Sequence, residues 1–366
     1  MSRLVNPFFF ESPSDRWAFT DRETLVPRLT ELMQQRGRRL LLHGRRRMGK
    51  TSLLKNAALK AGATLLFVDI STAAGLNEVA KKLLAEAPVR EGRGFTRALE
   101  LAKKHLKSFS VSAHKLVLSG ELRLEEGEQT LEQVLNYLNA SAETADQMWT
   151  VAFDEFQDIR DMGGPKVDWK LRGIIQEHRH LNYLFTGSDH RLVAWMTDPS
   201  APFFKQLQQM EVGAIDGAHL AAWIERRAKT GGLPRFPYGE LIVAQAGPCT
   251  GDVVRLAKAV FDLAAGGREG NLVPVAFDAI ALVELNGEFN ASWRSLSPTQ
   301  KPVLRALAAG RPPTASETLR EYGLKAASTA QKAVEGLIER QFLVREGGRV
   351  VFDSPFFRRW VDFNGA

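Results

Sequence analysis

The run Gly44-Arg-Arg-Arg-Met-Gly-Lys-Thr51 sets two glycines, a lysine and a hydroxyl at the spacing of a phosphate-binding loop. Gly44 and Gly49 permit a tight turn, so that successive backbone N–H groups can face phosphate oxygens. Lys50 is expected in a solvent-accessible position, reaching the β- and γ-phosphates of a nucleotide. The Thr51 hydroxyl is expected on Mg2+. Arg45, Arg46, Arg47 and Met48 complete the loop, and Ser52 follows it. All are expected to line an ATP and Mg2+ cradle. The three arginines could contact phosphate, a neighbouring subunit or DNA, or form a solvated basic tip.

About a hundred residues later, Val151-Ala-Phe-Asp-Glu155 carries an apolar run into two acids. Asp154 is expected to hold Mg2+ through water, and Glu155 to polarise an attacking water as a general base. Alone, the pair would read as a strand end with two solvated carboxylates. With the glycine loop it points to hydrolysis rather than transfer to a second substrate. A third polar point is Phe185-Thr-Gly-Ser188. Ser188, preferred to Thr186, would sense the γ-phosphate or orient the water. Gly-Ser also suits a simple strand-to-helix turn.

Chemistry of this kind needs strands that deliver these residues to one edge. Arg38–His43, Thr64–Ile70, Met148–Phe153 and Leu181–Thr186 are short apolar runs suited to buried strands. Helical spacing predicts helices over Thr51–Lys60, 76–87 and 129–140. Another runs from an Asp21 N-cap through Leu25, Leu29 and Leu32 to about Gly37. Strands alternating with helices predict an α/β fold with a parallel sheet. Residues 88–128 are less regular and hold Arg90, Arg93, Arg97, Lys103, Lys104 and Lys107. Alternation in Lys115–Ser119 and Glu121–Leu124 suggests a hairpin there, read as an insertion. The expected division is an α/β core over 1–215, a helical lid over 216–290 and a C-terminal unit over 291–366.

In that last unit Ser297 suits an N-cap with Pro298 in the first turn. Helices are predicted from there, over about Ser316–Tyr322 and over 327–341. A hairpin over Phe342–Phe352 turns at Gly347-Gly348. Three helices and a hairpin make a winged helix-turn-helix. Residues 297–363 hold eleven Lys and Arg against seven Asp and Glu, which is compatible with duplex DNA. Gln331 and Lys332 would lie outward, and Arg345 and Arg349 beside the wing tip. The same fold could dock a protein or pack on the lid. Phe356-Phe-Arg-Arg-Trp360 reads as an apolar anchor against the ATPase body, not as a base reader.

Gly44–Leu54 resembles the loop of archaeal-type P-loop ATPases, in the STAND and origin-recognition-like branch of the AAA+ superfamily. Asn6-Pro-Phe8 and Phe19-Thr-Asp-Arg-Glu23 resemble that family's N-terminal segment, which lies near the adenine. Phe153–Asp158 and Phe185–Asp189 resemble its later motifs. The resemblance spans nearly all of the chain. It implies an arginine of the helical lid at the γ-phosphate, and Gly251-Asp-Val-Val-Arg255 resembles that motif with one additional residue between Gly and Arg. Arg255 could equally be a surface arginine. A trans-acting arginine is also implied; Arg172, Arg179 and Arg191 are near the relevant strand and none stands out.

The 366 residues are too many for one compact core. A hydrophobic share of 44% and a charged share of 25% are those of a globular chain. The lone Cys249 excludes an intrachain disulfide and a multi-cysteine metal site, in keeping with a reducing cytoplasm. No signal peptide or membrane span is expected. The net charge of +7 allows an anionic partner. The sequence therefore reads as an ATP-hydrolysing switch. Its nucleotide state would control assembly into a homo-oligomer, or the binding of DNA or a protein partner by the winged helix. A transcription regulator with little or no hydrolysis is the alternative, and a phosphotransferase ranks last.

Overall fold

The computed structural model describes residues 4–10, 19, 20, 22–88, 104, 131–164, 166–188 and 190–364. The insertion expected over about 88–128 therefore falls almost wholly outside the described residues, with its hairpin and all its named basic residues except Lys104. So do Asp21, expected as a helix cap, and Asp189. The described chain divides into two compact units, one over 15–213 and one joining 1–14 to 214–366.

The first unit contains α1 (Leu25–Gln34), β1 (Arg39–His43), α2 (Lys50–Ala61), β2 (Thr64–Asp69), α3 (Leu76–Ala85) and α4 (Leu131–Thr144). It continues with β3 (Trp149–Asp154), α5 (Ile159–Gly163), α6 (Val167–Ile175), β4 (Leu181–Gly187), α7 (His190–Thr197) and β5 (Gln208–Glu211). The strands form one sheet in the order β2-β3-β4-β1-β5, with every pairing parallel. All of β4, and β3 as far as Phe153, are buried, as continuous apolar runs of a covered parallel sheet should be. β5 was not expected from the sequence. Only Met210 of its four residues is buried, so this edge strand carries no apolar run. It is fixed by pairing with β1 from Leu40↔Gln208 to His43↔Glu211.

α1 stops at Gln34, before the expected end near Gly37. The Asn182 amide donates to the carbonyls of Leu32 and Met33, while its oxygen accepts from the Arg38 N–H at 2.7 Å. A side chain from β4 thus satisfies the orphan carbonyls that one more helical turn would have covered.

The second unit contains α8 (Gly217–Thr230), α9 (Gly239–Ala246), α10 (Thr250–Ala265), α11 (Leu272–Ala279), a π-helical turn over Ile280–Glu284 and α12 (Asn286–Arg294). Phe8 is 1% exposed and packs among Trp223, Phe236 and Phe261 of this unit. Asn6 fixes the same segment through the Lys258 carbonyl and Asp262. Residues 4–10 thus pack with helices more than two hundred positions later, a placement that a division at 215 did not anticipate.

The winged helix follows as α13 (Gln300–Ala308), α14 (Ser316–Glu321), α15 (Ala327–Glu339), β6 (Leu343–Glu346), β7 (Arg349–Phe352) and α16 (Pro355–Asn364). Before α13, the Ser297 hydroxyl accepts from the Gln300 N–H and the Gln300 side chain accepts from the Ser297 N–H. This reciprocal pair is a capping box. β6 and β7 pair antiparallel across Gly347 and Gly348, both with positive φ. The apolar side chains of Phe356–Trp360 are buried and divide between two cores. Phe356 joins the helical core against Phe277, while Phe357, Trp360 and Val361 enter the winged-helix core. With apolar side chains on two sides, α16 joins the two cores of its own unit. Among the described residues, no helix is long and apolar enough to cross a membrane.

Candidate nucleotide site

The loop after β1 leaves the sheet at Gly44, whose φ is +151°. A Cβ there would stand 2.5 Å from the Val212 carbonyl oxygen, so only glycine passes. Gly49 (φ +84°) turns the chain into α2 from a left-handed position. The loop and the N-terminus of α2 therefore present backbone N–H groups and a positive helix end to one place, as anion binding requires. Arg46 and Arg47 are exposed, Arg45 is half-buried and Met48 is buried.

Lys50 departs from the expected open position. It is 7% exposed, and its Nζ donates to the Gly44 carbonyl at 2.9 Å and the Arg45 carbonyl at 3.0 Å. The ammonium is thus held against the loop it belongs to, with no long reach into solvent. Arg22 supports the loop from below. It is buried, and its guanidinium donates to the Met48 carbonyl at 3.0 Å. Beside it, Phe19, Arg22, Glu23 and Val26 border a cavity of about 540 Å3 that runs along α2 to Asn56 and Leu59.

β3 lies one strand from β1, and β4 stands between them. Asp154 and Thr51 meet across this edge, the Thr51 hydroxyl donating to Asp154 Oδ2 at 3.1 Å. Thr186, buried at the end of β4, donates to Asp154 Oδ1. Ser188 donates to both Glu155 oxygens, at 3.3 and 3.1 Å, and the Gln157 amide donates to Glu155 Oε2 at 2.7 Å. The two hydroxyls of the Thr-Gly-Ser run therefore divide the acids between them. The sequence preferred Ser188. Thr186 is the residue it undervalued, because a strand-end threonine carries no signal that it faces the preceding strand's carboxylate.

Glu155 has φ +50° and ψ +49°, a left-handed conformation uncommon outside glycine. Asp158 follows one turn on. Burial raises its pKa from the ordinary aspartate value, and the charges of Glu155 and Asp161 raise it further, while Arg46 of the loop lowers it. Among the described residues, no group of three or more His, Cys, Asp or Glu is arranged to hold a metal ion. Thr51 and Asp154 nonetheless converge as a hydroxyl and a carboxylate. That is a donor set suited to Mg2+, which binds through one or two protein oxygens and completes its shell with phosphate and water.

Arg255, in α10, lies 4.8 Å from the Phe10 ring and pairs with Glu284 at 2.5 Å. Its contacts are those of its own unit. Of the arginines near β4, Arg172 lies over the Trp169 ring and Arg179 is exposed; the Arg191 side chain lies outside the described residues.

Residues 287–362 match the family described as a probable winged helix domain. No curated protein matches the chain. Among solved structures, it is similar to a Walker-type ATPase of Pyrococcus abyssi, with a TM-score of 0.70 and 19% identity over 97% of this chain and 99% of that one. It is also similar to the Aeropyrum pernix ORC2 protein in its ADPNP–ADP complexes, with a TM-score of 0.62 and 15% identity over 95% and 94%. At these identities the likeness is one of fold: a P-loop ATPase sheet with flanking helices, followed by a winged helix.

Proposed function

We propose that the chain binds ATP with Mg2+ and hydrolyses it, and that the nucleotide state controls assembly or partner binding through the winged helix. The supporting observation is the paired arrangement at one sheet edge, Thr51 with Asp154 and Ser188 with Glu155. It joins the oxygen donors for Mg2+ to a carboxylate that can take a proton. Loop N–H groups and Lys50 would bind the β- and γ-phosphates, Lys50 giving up its carbonyl partners. Arg45, Arg46, Arg47, Met48 and Ser52 border that cradle. Thr51 and Asp154 would hold Mg2+, which when bound neutralises developing charge on the phosphates. Glu155 would take the proton of the attacking water, and Ser188 would keep its carboxylate aimed. Arg255 would answer to the γ-phosphate by exchanging Glu284 for it. We assign the core to 1–215 apart from the segment 4–10 that packs with the lid, the lid to 216–290 and the partner-binding unit to 291–366, in a protein of the cytoplasm.

A regulator with little hydrolysis remains the second reading. It is favoured by the Glu155 carboxylate being held by both Gln157 and Ser188. For the partner, we propose duplex DNA contacted mainly through phosphates, by the exposed Lys325 before α15, Lys332 on α15 and Arg349 on the wing. Arg345 contributes less, because it pairs with Glu335. Lys50→Ala tests the nucleotide site. ATP affinity measured by calorimetry should collapse while the melting transition persists. Unchanged affinity in a folded variant would show that this loop does not bind the nucleotide.

A further inference from the structure

We propose that Trp195 is a positioning residue for Glu155, gripping the segment that follows the carboxylate at two points. The proposal rests on the reading of Glu155 as general base. Glu155 itself is left-handed, a conformation that persists in a bulky residue only where its surroundings over-determine it. The next residue, Phe156, is fully buried and stacks on Trp195 with ring centroids 5.6 Å apart and planes 7° apart. One helical turn later, the Arg160 guanidinium lies 3.9 Å from the centre of the same indole. Two side chains four residues apart, both just after Glu155, are therefore held by one ring.

The indole is fixed in turn. Its Nε1–H donates to Asp168 Oδ2 at 3.0 Å, and Arg160 pairs with the same oxygen at 2.8 Å. The Trp169 N–H donates to Oδ1 at 3.1 Å. Asp168 is fully buried, so its charge is compensated by Arg160 and directed by two N–H donors. Trp195 sits on α7, which begins two residues after Ser188. The contact that sets segment 155–160 thereby also sets the helix after the hydroxyl that bonds Glu155. Rotating or shrinking the indole should let Glu155 relax towards an ordinary backbone conformation and leave its place beside Ser188. The phosphate loop, which is no part of these contacts to Phe156, Arg160 and Asp168, should be unaffected.

The test is a double-mutant cycle on the full chain with Mg-ATP, read by single-turnover hydrolysis, ATP Kd and melting. Trp195→Ala should slow hydrolysis about tenfold or more, from releasing one strained residue, with ATP Kd changed less than about twofold. Trp195→Phe keeps a ring against Phe156 and loses the N–H to Asp168, so its rate should fall between the two. In a Glu155→Gln background neither substitution should slow the remaining hydrolysis more than about twofold, because the group they position is already gone. Equal losses in both backgrounds, or no loss in either, would overturn the proposal. If Trp195→Ala does not fold, Trp195→Phe decides by the same criterion. Failure of the underlying reading looks different: the wild-type chain would not hydrolyse ATP, or Glu155→Gln alone would leave its rate intact.

Discussion

The two ends of the parallel sheet both gather polar side chains, but they partner them differently. At the amino end, His178 is 5% exposed and lies between the Tyr183 hydroxyl and the Asn136 side-chain oxygen, at 2.5 and 2.8 Å. Burial, with the Arg39 charge adding to it, lowers its pKa to about 4, and burial raises that of Tyr183. These groups are neutral and permanently matched. At the carboxyl end, Lys50 rests on loop carbonyls, Thr51 and Thr186 on Asp154, and Ser188 on Glu155. Phosphate, a metal ion or water could take the place of several of these partners. One end therefore specifies the fold, and the other is poised to exchange partners.

The contrast should be broken most severely at Asp154. Asp154→Asn keeps the shape and loses the charge, and should reduce Mg-dependent turnover about a hundredfold, the scale of losing one preorganised electrostatic contact. Melting should change little if the carboxyl end is not what holds the sheet together.

At the amino end the expected effect is on stability, through pH. The folded pKa of His178 is depressed to about 4 from 6.5, so the unfolded chain takes up the proton first as pH falls. Stability should be constant above about pH 7 and decline from pH 6.5 towards 4. By pH 5 the loss from this group should be about 2 kcal/mol. Urea unfolding at pH 7.5 and pH 5 measures it. His178→Gln should lower stability at pH 7.5 and flatten the pH dependence, and an unaltered slope would show that the His178 contacts are not the source.

Thr186→Val probes whether Asp154 needs its second partner. Removing a hydroxyl that donates to this half-buried carboxylate should slow turnover roughly tenfold, while ATP affinity holds. The smallest effect is expected in the winged helix, where Arg345 resembles the fixed end and Arg349 the exchangeable one. Arg349→Ala should lower the salt slope of DNA binding by about one, whereas Arg345→Ala should lower it by less, because Glu335 already neutralises that side chain. Anisotropy with duplex DNA at several salt concentrations separates the two.

Much of the carboxyl end was legible because its chemistry is local. The loop from Gly44 to Thr51 is one contiguous motif, and apolar runs announce the strands that carry Asp154 and Ser188. What sequence reasoning lost was non-local or polar. β5 has one buried residue in four, so no run marks it. Phe8 packs with Trp223 and Phe261, a pairing that no periodicity can encode. The burial of Lys50 follows from two loop carbonyls facing inward, which spacing alone does not reveal. Arg160, Asp168 and Trp195 come together from three helices, and none belongs to a motif.

The role proposed for Glu155, as base at a working ATP site, turns on one carboxylate. Glu155→Gln, mixed with Mg-ATP in a rapid-quench and filter-binding experiment, removes that carboxylate while keeping its shape. ATP should bind close to wild type, hydrolysis should be slower by about two orders of magnitude, and the ATP-bound chain should accumulate. Wild-type hydrolysis by the folded variant would contradict that role.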